Sequence, residues 1–262
     1  SNDGPLVREL EQATGEALRW PHTIAVSSGT SALTVALLAL DLPYGTEVIT
    51  TPLTFRATAL AIKAAGLRPI FAAVDPITLL LSVEAAERAI GPRTGAILPV
   101  HLFGVAADPQ FDELAEAHGL PVVYDAAHSF DVTSSIAGRG SATAYSLHAT
   151  KLLHTGEGGL LGTSDESIAA RARKIRNFGL DGHEGTSPGV NAKLSEVSAA
   201  VGLAMFGRLE EEVARRHKVR AAYASFLSPS TRVRPHAHGH DRSVIMEAVR
   251  CDPGVQSKIV GE

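Results

Sequence analysis

Short apolar runs rich in Val and Ile alternate with helical patterns along most of this sequence. The apolar runs predict strands at residues 23–27, 47–50, 69–74, 96–100, 121–125, 143–146 and 159–163. The segments between them predict helices at residues 31–40, 55–65, 83–90 and 109–118, each followed closely by Gly or Pro. Because strands that alternate with helices build parallel sheets, we predict an α/β fold, a three-layer α/β/α sandwich with a mainly parallel central sheet.

A longer helical pattern at residues 194–227 changes from an apolar half to a charged half and leads out of the sheet. After residue 229 the periodicity weakens, and it leaves one predicted strand at residues 243–249. We therefore predict a large domain at residues 1–227, which includes the N-terminal segment and the long connecting helix. Residues 228–262 are predicted to form a partial small C-terminal domain.

Composition narrows the class of protein. The 262 residues carry 24 Lys plus Arg against 28 Asp plus Glu, without long runs of one sign, which disfavours nucleic acid as a partner. The single cysteine, Cys251, excludes an internal disulfide framework and suits a reducing compartment. The longest apolar stretch, residues 32–40, is too short to span a bilayer. We expect a soluble cytoplasmic protein that acts on small molecules.

The sequence SSGTS at residues 27–31 closes a predicted strand and opens a predicted helix. Free backbone N–H groups at the positive end of a helix bind anions, and phosphate is the simplest candidate. The same residue types are also ordinary helix-capping residues, so this segment alone leaves both interpretations open.

A carboxylate, Asp125, ends the predicted strand at residues 121–125. In open α/β sheets ligands bind at the carboxyl ends of strands. An aspartate there can pair with the ring nitrogen of a pyridine cofactor and keep it protonated. The alternative is a turn or helix-cap aspartate.

Lys151 follows the predicted strand at residues 143–146 and precedes TGEGG at residues 155–159. A lysine held partly out of water beside a positive ring nitrogen has a lowered pKa and can form an imine. Taken singly, it could also be a surface lysine. A phosphate-binding turn, a strand-end aspartate and a turn lysine together are the parts that a pyridoxal 5′-phosphate site needs.

His236, His238 and His240 alternate in a segment flanked by Pro and Gly. The spacing resembles that of metal ligands on a strand, but the flanking residues favour a surface loop. We therefore predict no metal site.

Several separate motifs occur in an order that resembles the DegT/DnrJ/StrS family of sugar aminotransferases, within the fold type I pyridoxal phosphate enzymes. The resemblance runs from NDGPL at residues 2–6 to about Leu227. The motifs between these ends are SGTSAL at residues 28–33, TFRATA at 54–59, PVHLFG at 99–104, DAAH at 125–128, SLHATK at 146–151, NAKLSE at 191–196 and AAVGL at 199–203.

The resemblance implies a role for each matching residue. Lys151 would hold the cofactor in a Schiff base and later move the proton, Asp125 would pair with the pyridinium nitrogen, and Phe55 would stack on the ring. His128 would touch the 3′ oxygen, at a position where many relatives carry glutamine. The residues expected to hold the phosphate are Gly29, Thr30, Ser31 and Ser146, with Asn191 reaching the cofactor phosphate of a neighbouring subunit.

By the same resemblance the protein would be a homodimer with shared active sites. It would transfer an amino group from an amino acid, L-glutamate, to a keto sugar linked to a nucleotide. A cyclitol or another ring ketone is an alternative acceptor.

Two other functions stay open at this point. Sugar dehydratases of the same fold carry histidine where Lys151 stands, so the lysine speaks against that chemistry. Relatives continue for about another hundred residues beyond the region of Pro253, so the chain looks cut short or unusually compact. A cofactor-binding regulator, an inactive partner subunit or an enzyme limited to the donor half-reaction is therefore a further alternative.

Overall fold

The computed structural model describes residues 3–130, 138–181, 184–185, 188–227, 232–236, 246, 248–252 and 254. Strands form wherever the first part of the sequence predicted them. They are β1 His22–Val26, β2 Glu47–Thr50, β3 Arg68–Phe71, β4 Thr94–Leu98, β5 Val123–Asp125, β6 Ala142–Ser146 and β7 Gly159–Thr163. Their bounds differ from the predicted ones by a few residues at most.

The strands form two sheets that meet edge to edge. One has the order β3-β2-β4 and is parallel, and the other has the order β1-β7-β6-β5. Parallel bridges from Ile97 to Val122 and from Val100 to Asp125 connect β4 with β5. Only β7, among these strands, runs antiparallel to both of its neighbours. The predicted mainly parallel central sheet is therefore confirmed.

Helices cover both faces of this sheet. They are α1 Pro5–Leu18, α2 Gly29–Ala39, α3 Ala57–Ala64, α4 Val83–Ala89, α5 Gln110–His118, α6 Glu166–Arg176, α7 Glu196–Phe206 and α8 Leu209–Leu227. Two short strand pairs add to them: β8 Leu180–Asp181 with β9 Glu184–Gly185, and β10 Val233–Pro235 with β11 Val249–Cys251.

The three layers follow from the alternation of side chains along each strand. Val48 packs in one buried cluster with residues of α2, α3 and α6, whereas its neighbour Ile49 packs with α4 and α5 on the other face. In β7 the same alternation places Leu161 against α2 and Leu160 against α1 and α7. Because both faces are apolar, helices must cover both, and the three-layer sandwich is confirmed.

One predicted element was wrong in its bounds, and another lies mostly outside the described residues. The helix predicted over residues 194–227 is two helices. The first, α7, ends at Phe206 with Gly207 as its C-cap, and the Arg208 N–H bonds to the Met205 carbonyl in a tight turn. Of the strand predicted at 243–249, residues 243–245 and 247 lie outside the described residues, and the strand that the structure describes is β11.

In the described part of the chain, every helix is too short or too polar to cross a bilayer.

The helix α1 was not predicted, and it begins with Pro5 in its first turn. The carboxylate of Glu196 accepts hydrogen bonds from the backbone N–H groups of Gly4, Leu6 and Val7 at that end of the helix. This contact joins α1 to α7 and satisfies donors that a helix leaves unpaired.

Candidate active site

A cavity of about 580 Å³ lies at the edge of the sheet where the carboxyl ends of the parallel strands meet. It is lined by residues that directly follow β1, β5 and β6 and by the segments before α3 and after β4. Its size is within the range of about 300–1,000 Å³ that small-molecule sites occupy. Of the predicted site residues, the lining includes Gly29, Thr30, Phe55, Asp125, His128, Ser146 and Lys151.

One end of the cavity is formed by the N-terminus of α2. Ser28 caps this helix, because its hydroxyl accepts a 3.0 Å hydrogen bond from the Ser31 N–H. Within the described residues, the N–H groups of Gly29 and Thr30 donate no hydrogen bond. Such unpaired donors at a positive helix end, with the Ser146 hydroxyl beside them, suit a phosphate group.

Close backbone packing shapes this end of the cavity. A Cβ added to Gly29 would lie 2.8 Å from Cβ of Ser146 and 3.1 Å from its Oγ. A Cβ added to Gly159 would overlap the Ser28 carbonyl oxygen. These approaches require glycine, and they bring the start of α2 against the end of β6 and the start of β7.

Ser31 does not line the cavity, although the sequence predicted it as a phosphate ligand. Its hydroxyl lies 3.0 Å from that of Ser27 and 2.9 Å from that of Ser28. The side chain of Ser31 therefore contributes to the capping of α2.

Asp125 stands at the end of β5, and it is 4% exposed. Its Oδ2 accepts a 2.8 Å hydrogen bond from the Thr58 hydroxyl, and its Oδ1 accepts one from the Ala127 N–H. Burial raises the pKa of Asp125, whereas these hydrogen bonds and the charge of Lys151 oppose the increase. The carboxylate is fixed in orientation, and a positive partner in the cavity would stabilise its charged form.

Lys151 lies in a turn after β6, and its N–H bonds to the carbonyl of His148. Burial lowers the pKa of Lys151, while attraction to Asp125 raises it by a smaller amount. The two predicted catalytic residues therefore line one cavity and influence each other electrostatically.

His128 is largely buried beside these residues. Its Nδ1 accepts a 3.3 Å hydrogen bond from the N–H of Phe103, a residue with the positive φ of 57°. Burial, and to a smaller extent the charge of Lys151, lowers the pKa of His128 to about 4. The ring is therefore neutral at pH 7, with its proton on Nε2.

The remaining predicted residues lie at the rim or outside the cavity. Phe55 lines it with a side chain that is 68% exposed. Asn191 is exposed and does not line it, and its Oδ1 accepts a hydrogen bond from Nζ of Lys193. His148 lines the cavity, and its Nε2 is 3.6 Å from Oε1 of Glu157.

Sequence reasoning assigned no role to several residues at the site. Thr54 and Thr58 are four residues apart at the start of α3, and their hydroxyls are 2.6 Å apart. Phe103, Glu157 and Met246 also line the cavity. The i, i+4 spacing of the two threonines next to Phe55 is the signal that could have identified this pair.

The surface loop favoured by the sequence is wrong at His236, which is buried. It is 2% exposed, its Nδ1 accepts a 3.0 Å hydrogen bond from Nε of Arg250, and its Nε2 lies 3.1 Å from the Thr78 carbonyl oxygen. His238 and His240 lie outside the described residues. Among the residues that the structure describes, no group of His, Cys, Asp and Glu could hold a metal ion.

Comparison with known proteins relates this geometry to a family. The spore coat polysaccharide biosynthesis protein SpsC of Bacillus subtilis is 36% identical over 257 residues, which cover 91% of this chain and 66% of that protein. GDP-perosamine synthase of Caulobacter vibrioides is 34% identical, over 98% of this chain and 72% of that protein. This chain therefore spans only part of these relatives, 66% of the first and 72% of the second.

A solved structure gives the same result for the fold. DesI, crystallised in the presence of its TDP-sugar product, superposes with a TM-score of 0.88 at 35% sequence identity, over 96% of this chain and 66% of that chain. Residues 1–259 match the DegT/DnrJ/EryC1/StrS aminotransferase family as a whole. The chain belongs to this family, which confirms the family predicted from its sequence motifs.

Proposed function

We propose that this protein is a pyridoxal 5′-phosphate-dependent aminotransferase that moves an amino group from an amino acid, L-glutamate, to a keto sugar linked to a nucleotide. Its family is pyridoxal phosphate dependent. The relatives described above, a perosamine synthase and an enzyme crystallised with a TDP-sugar product, support a nucleotide-linked sugar as the acceptor.

One observation carries the proposal. Asp125 and Lys151 line a single cavity whose lining also includes the N-terminus of α2. A buried carboxylate, an amine with a lowered pKa and unpaired helix N–H groups are the donor and acceptor set that a phosphorylated pyridine aldehyde requires.

The residues present fit this cofactor. The N–H groups of Gly29 and Thr30 and the Ser146 hydroxyl would hold the phosphate, where α2 and β6 approach so closely that a Cβ on Gly29 would lie 2.8 Å from Cβ of Ser146. Asp125 would face the ring nitrogen, and Phe55 would cover the ring. When bound, pyridoxal phosphate supplies a ring that accepts the electrons released at the α-carbon of the amino acid.

The protein's own groups then hold and move protons. Asp125, oriented by Thr58, would keep a proton on the ring nitrogen by its negative charge. Lys151 would accept the α-proton of the donor on its Nζ and later return it, because its lowered pKa makes the neutral amine accessible. The neutral His128 would offer its Nε2–H to the 3′ oxygen of the cofactor.

A homodimer with shared active sites belongs to the same proposal. Asn191 is exposed outside the cavity of its own chain, where its Oδ1 accepts a hydrogen bond from Nζ of Lys193, and its proposed role is at the cofactor of a second subunit. An Asn191→Ala variant that stays dimeric in sedimentation but loses cofactor affinity would agree with this role. The single cysteine, Cys251, keeps the cytoplasm as the proposed compartment.

An absorbance titration tests the function. Wild-type protein, Lys151→Ala and the control Lys63→Ala, which changes an exposed lysine of α3, are mixed with pyridoxal phosphate. We expect the visible band of lysine-bound cofactor in wild type and in the control but not in Lys151→Ala. Added glutamate should then convert the band of wild type and of the control to the spectrum of pyridoxamine phosphate.

The acceptor is tested next, with nucleotide-linked keto sugars and with ring ketones. Recovery of the lysine-bound band with formation of an amino sugar supports the full reaction. If glutamate converts the lysine-bound cofactor but no acceptor is aminated, the protein would be an enzyme limited to the donor half-reaction. A wild-type spectrum equal to that of Lys151→Ala would refute the function.

A further inference from the structure

The turn that carries Lys151 is bonded to α8, the helix that follows α7. Nη2 of Arg216, in the middle of α8, donates a 3.2 Å hydrogen bond to the backbone carbonyl oxygen of Lys151. The two residues are 65 positions apart in the sequence. A charged donor on a backbone carbonyl makes a stronger hydrogen bond than a neutral one.

Apolar packing holds the same turn against the same helix. Leu152 and Leu153, which follow the lysine, are buried in one cluster with Leu209 and Val213 of α8. Val213 and Arg216 are three residues apart and therefore lie on the same face of the helix. The backbone at Lys151 is thus fixed from one side by apolar contacts and a hydrogen bond from α8.

Arg216 is itself held in place. Its Nε donates a 2.7 Å hydrogen bond to Oε1 of Glu212, one turn earlier in α8, and both side chains are less than one fifth exposed. Hydrogen bonds from Arg215 and Arg216 lower the pKa of Glu212 to about 2, so this residue is a carboxylate at neutral pH. The Glu212 carboxylate therefore neutralises the charge of the Arg216 guanidinium, which lies close to Lys151.

We infer that Arg216 is a positioning residue for Lys151, which fixes the lysine turn to α8 so that the amine enters the cavity in the orientation that reacts. The inference rests on the proposed function, because it concerns the lysine that binds the cofactor. A small displacement of a reacting group costs up to about 100-fold in rate. A direct hydrogen bond from Arg216 to the backbone of Lys151 therefore limits such a displacement.

The neighbouring Arg215 provides a matched control. It bonds to the same carboxylate of Glu212, at 2.8 Å, but its side chain is 67% exposed and it makes no bond to the lysine turn in the described part of the chain. Arg215→Ala therefore removes an arginine and an ion pair from the same helix without touching Lys151.

Two measurements on the full chain test the inference. The first is hydrogen exchange of the Lys151 amide in cofactor-free protein, and the second is the rate at which the lysine-bound cofactor band forms. In Arg216→Ala we expect exchange about 10-fold faster and band formation about 10-fold slower, because a hydrogen bond with a charged partner is lost. Arg215→Ala should match wild type in both, and Arg216→Lys should restore part of each.

The outcomes separate the inference from the function on which it rests. If wild type forms the band and Arg216→Ala behaves like Arg215→Ala, the inference is overturned and the function stands. If wild type forms no band, the proposed function fails and the inference fails with it. Should Arg216→Ala not fold, Arg216→Lys and Glu212→Gln are compared with Arg215→Ala by the same two measurements, and equal values for all three overturn the inference.

Discussion

The Thr58 hydroxyl donates a 2.8 Å hydrogen bond to Oδ2 of Asp125 and thereby connects the first turn of α3 with the end of β5. The hydroxyl oxygens of Thr54 and Thr58 are 2.6 Å apart, so Thr54 can donate a hydrogen bond to Thr58. This chain of hydroxyls orients a carboxylate that is almost completely out of water. Because hydrogen bonds stabilise its charged form, Thr58 controls how readily Asp125 is ionised.

Replacing Thr58 with Val should therefore weaken cofactor binding. The substitution keeps the shape of the side chain but removes a hydrogen bond to a charged group, which is worth about 1.5–3 kcal/mol. We expect the affinity for pyridoxal phosphate to fall at least about 10-fold, measured by absorbance titration.

A second buried threonine serves as the control for that experiment. Thr163 donates to the Ser141 carbonyl at the end of β7 that lies away from the cavity. Thr163→Val should lower stability by about 1 kcal/mol and leave cofactor affinity unchanged. Equal loss of affinity in both variants would contradict the role given to Thr58.

The charge of Asp125 should be visible in the reactivity of Lys151. Burial lowers the pKa of this lysine and Asp125 raises it, so Asp125→Asn removes the smaller, opposing effect. The pH at which Lys151 becomes reactive should therefore shift downward in Asp125→Asn. Competitive acetylation of the cofactor-free protein, read by peptide mass spectrometry with Lys63 as the reference, measures this shift. An upward shift would show that the two side chains do not interact as the structure describes.

Much of this fold could be predicted from the sequence because the strands are local patterns. Val48 and Ile49 lie in an apolar run whose length and neighbours indicate a buried strand, and the structure places them on opposite faces. Seven strands and four helices were predicted in this way, within a few residues of their observed bounds. Asp125 and Lys151 were predicted after two different strands, and both line one cavity, since strand ends meet at one edge of a parallel sheet.

The residues that sequence reasoning missed depend on long-range contacts. Thr58 meets Asp125 across 67 positions, and Arg216 meets Lys151 across 65, so no local pattern announces either pair. Ser31 stays a predicted phosphate ligand, and in the structure its hydroxyl lies within hydrogen-bond distance of the hydroxyls of Ser27 and Ser28. The helices α1 and α6 had usable signals, Pro5 in the first turn and the N-cap Asp165.

Gly29 offers a test of the phosphate site. In Gly29→Ala the new Cβ would lie 2.8 Å from Cβ of Ser146, so the start of α2 must move away from β6. We expect the affinity for pyridoxal phosphate to fall about 10-fold or more and that for unphosphorylated pyridoxal to change little, since only the phosphate meets this end of the cavity.

Gly91→Ala is the matched control, because a Cβ there meets nothing within 4 Å. It should bind both compounds like wild type. If Gly29→Ala lost affinity equally for pyridoxal and its phosphate, this end of the cavity would not be a phosphate site and its assignment would be wrong.

His101 should make the protein sensitive to acid. Its ring is completely buried, it stacks on Tyr124 with centroids 4.9 Å apart, and its Nδ1 accepts a hydrogen bond from the Ala107 N–H. Burial lowers the pKa of His101 from 6.5 to about 3, whereas the unfolded chain keeps the ordinary value. Between these pH values the unfolded state binds more protons, so the free energy of unfolding decreases as the pH falls.

Urea denaturation of wild type and His101→Gln at pH 7 and pH 5 measures this effect. One such histidine accounts for roughly 2 kcal/mol of lost stability between the two pH values. Glutamine keeps an acceptor for the Ala107 N–H but does not titrate, so the variant should lose roughly 2 kcal/mol less than wild type. His128, with its pKa of about 4, is present in both proteins and cancels from the difference. As a control, the exposed His118 is changed to Gln, and this variant should lose as much free energy of unfolding between pH 7 and pH 5 as wild type does. If His101→Gln also lost as much as wild type, His101 would be protonated in the folded state.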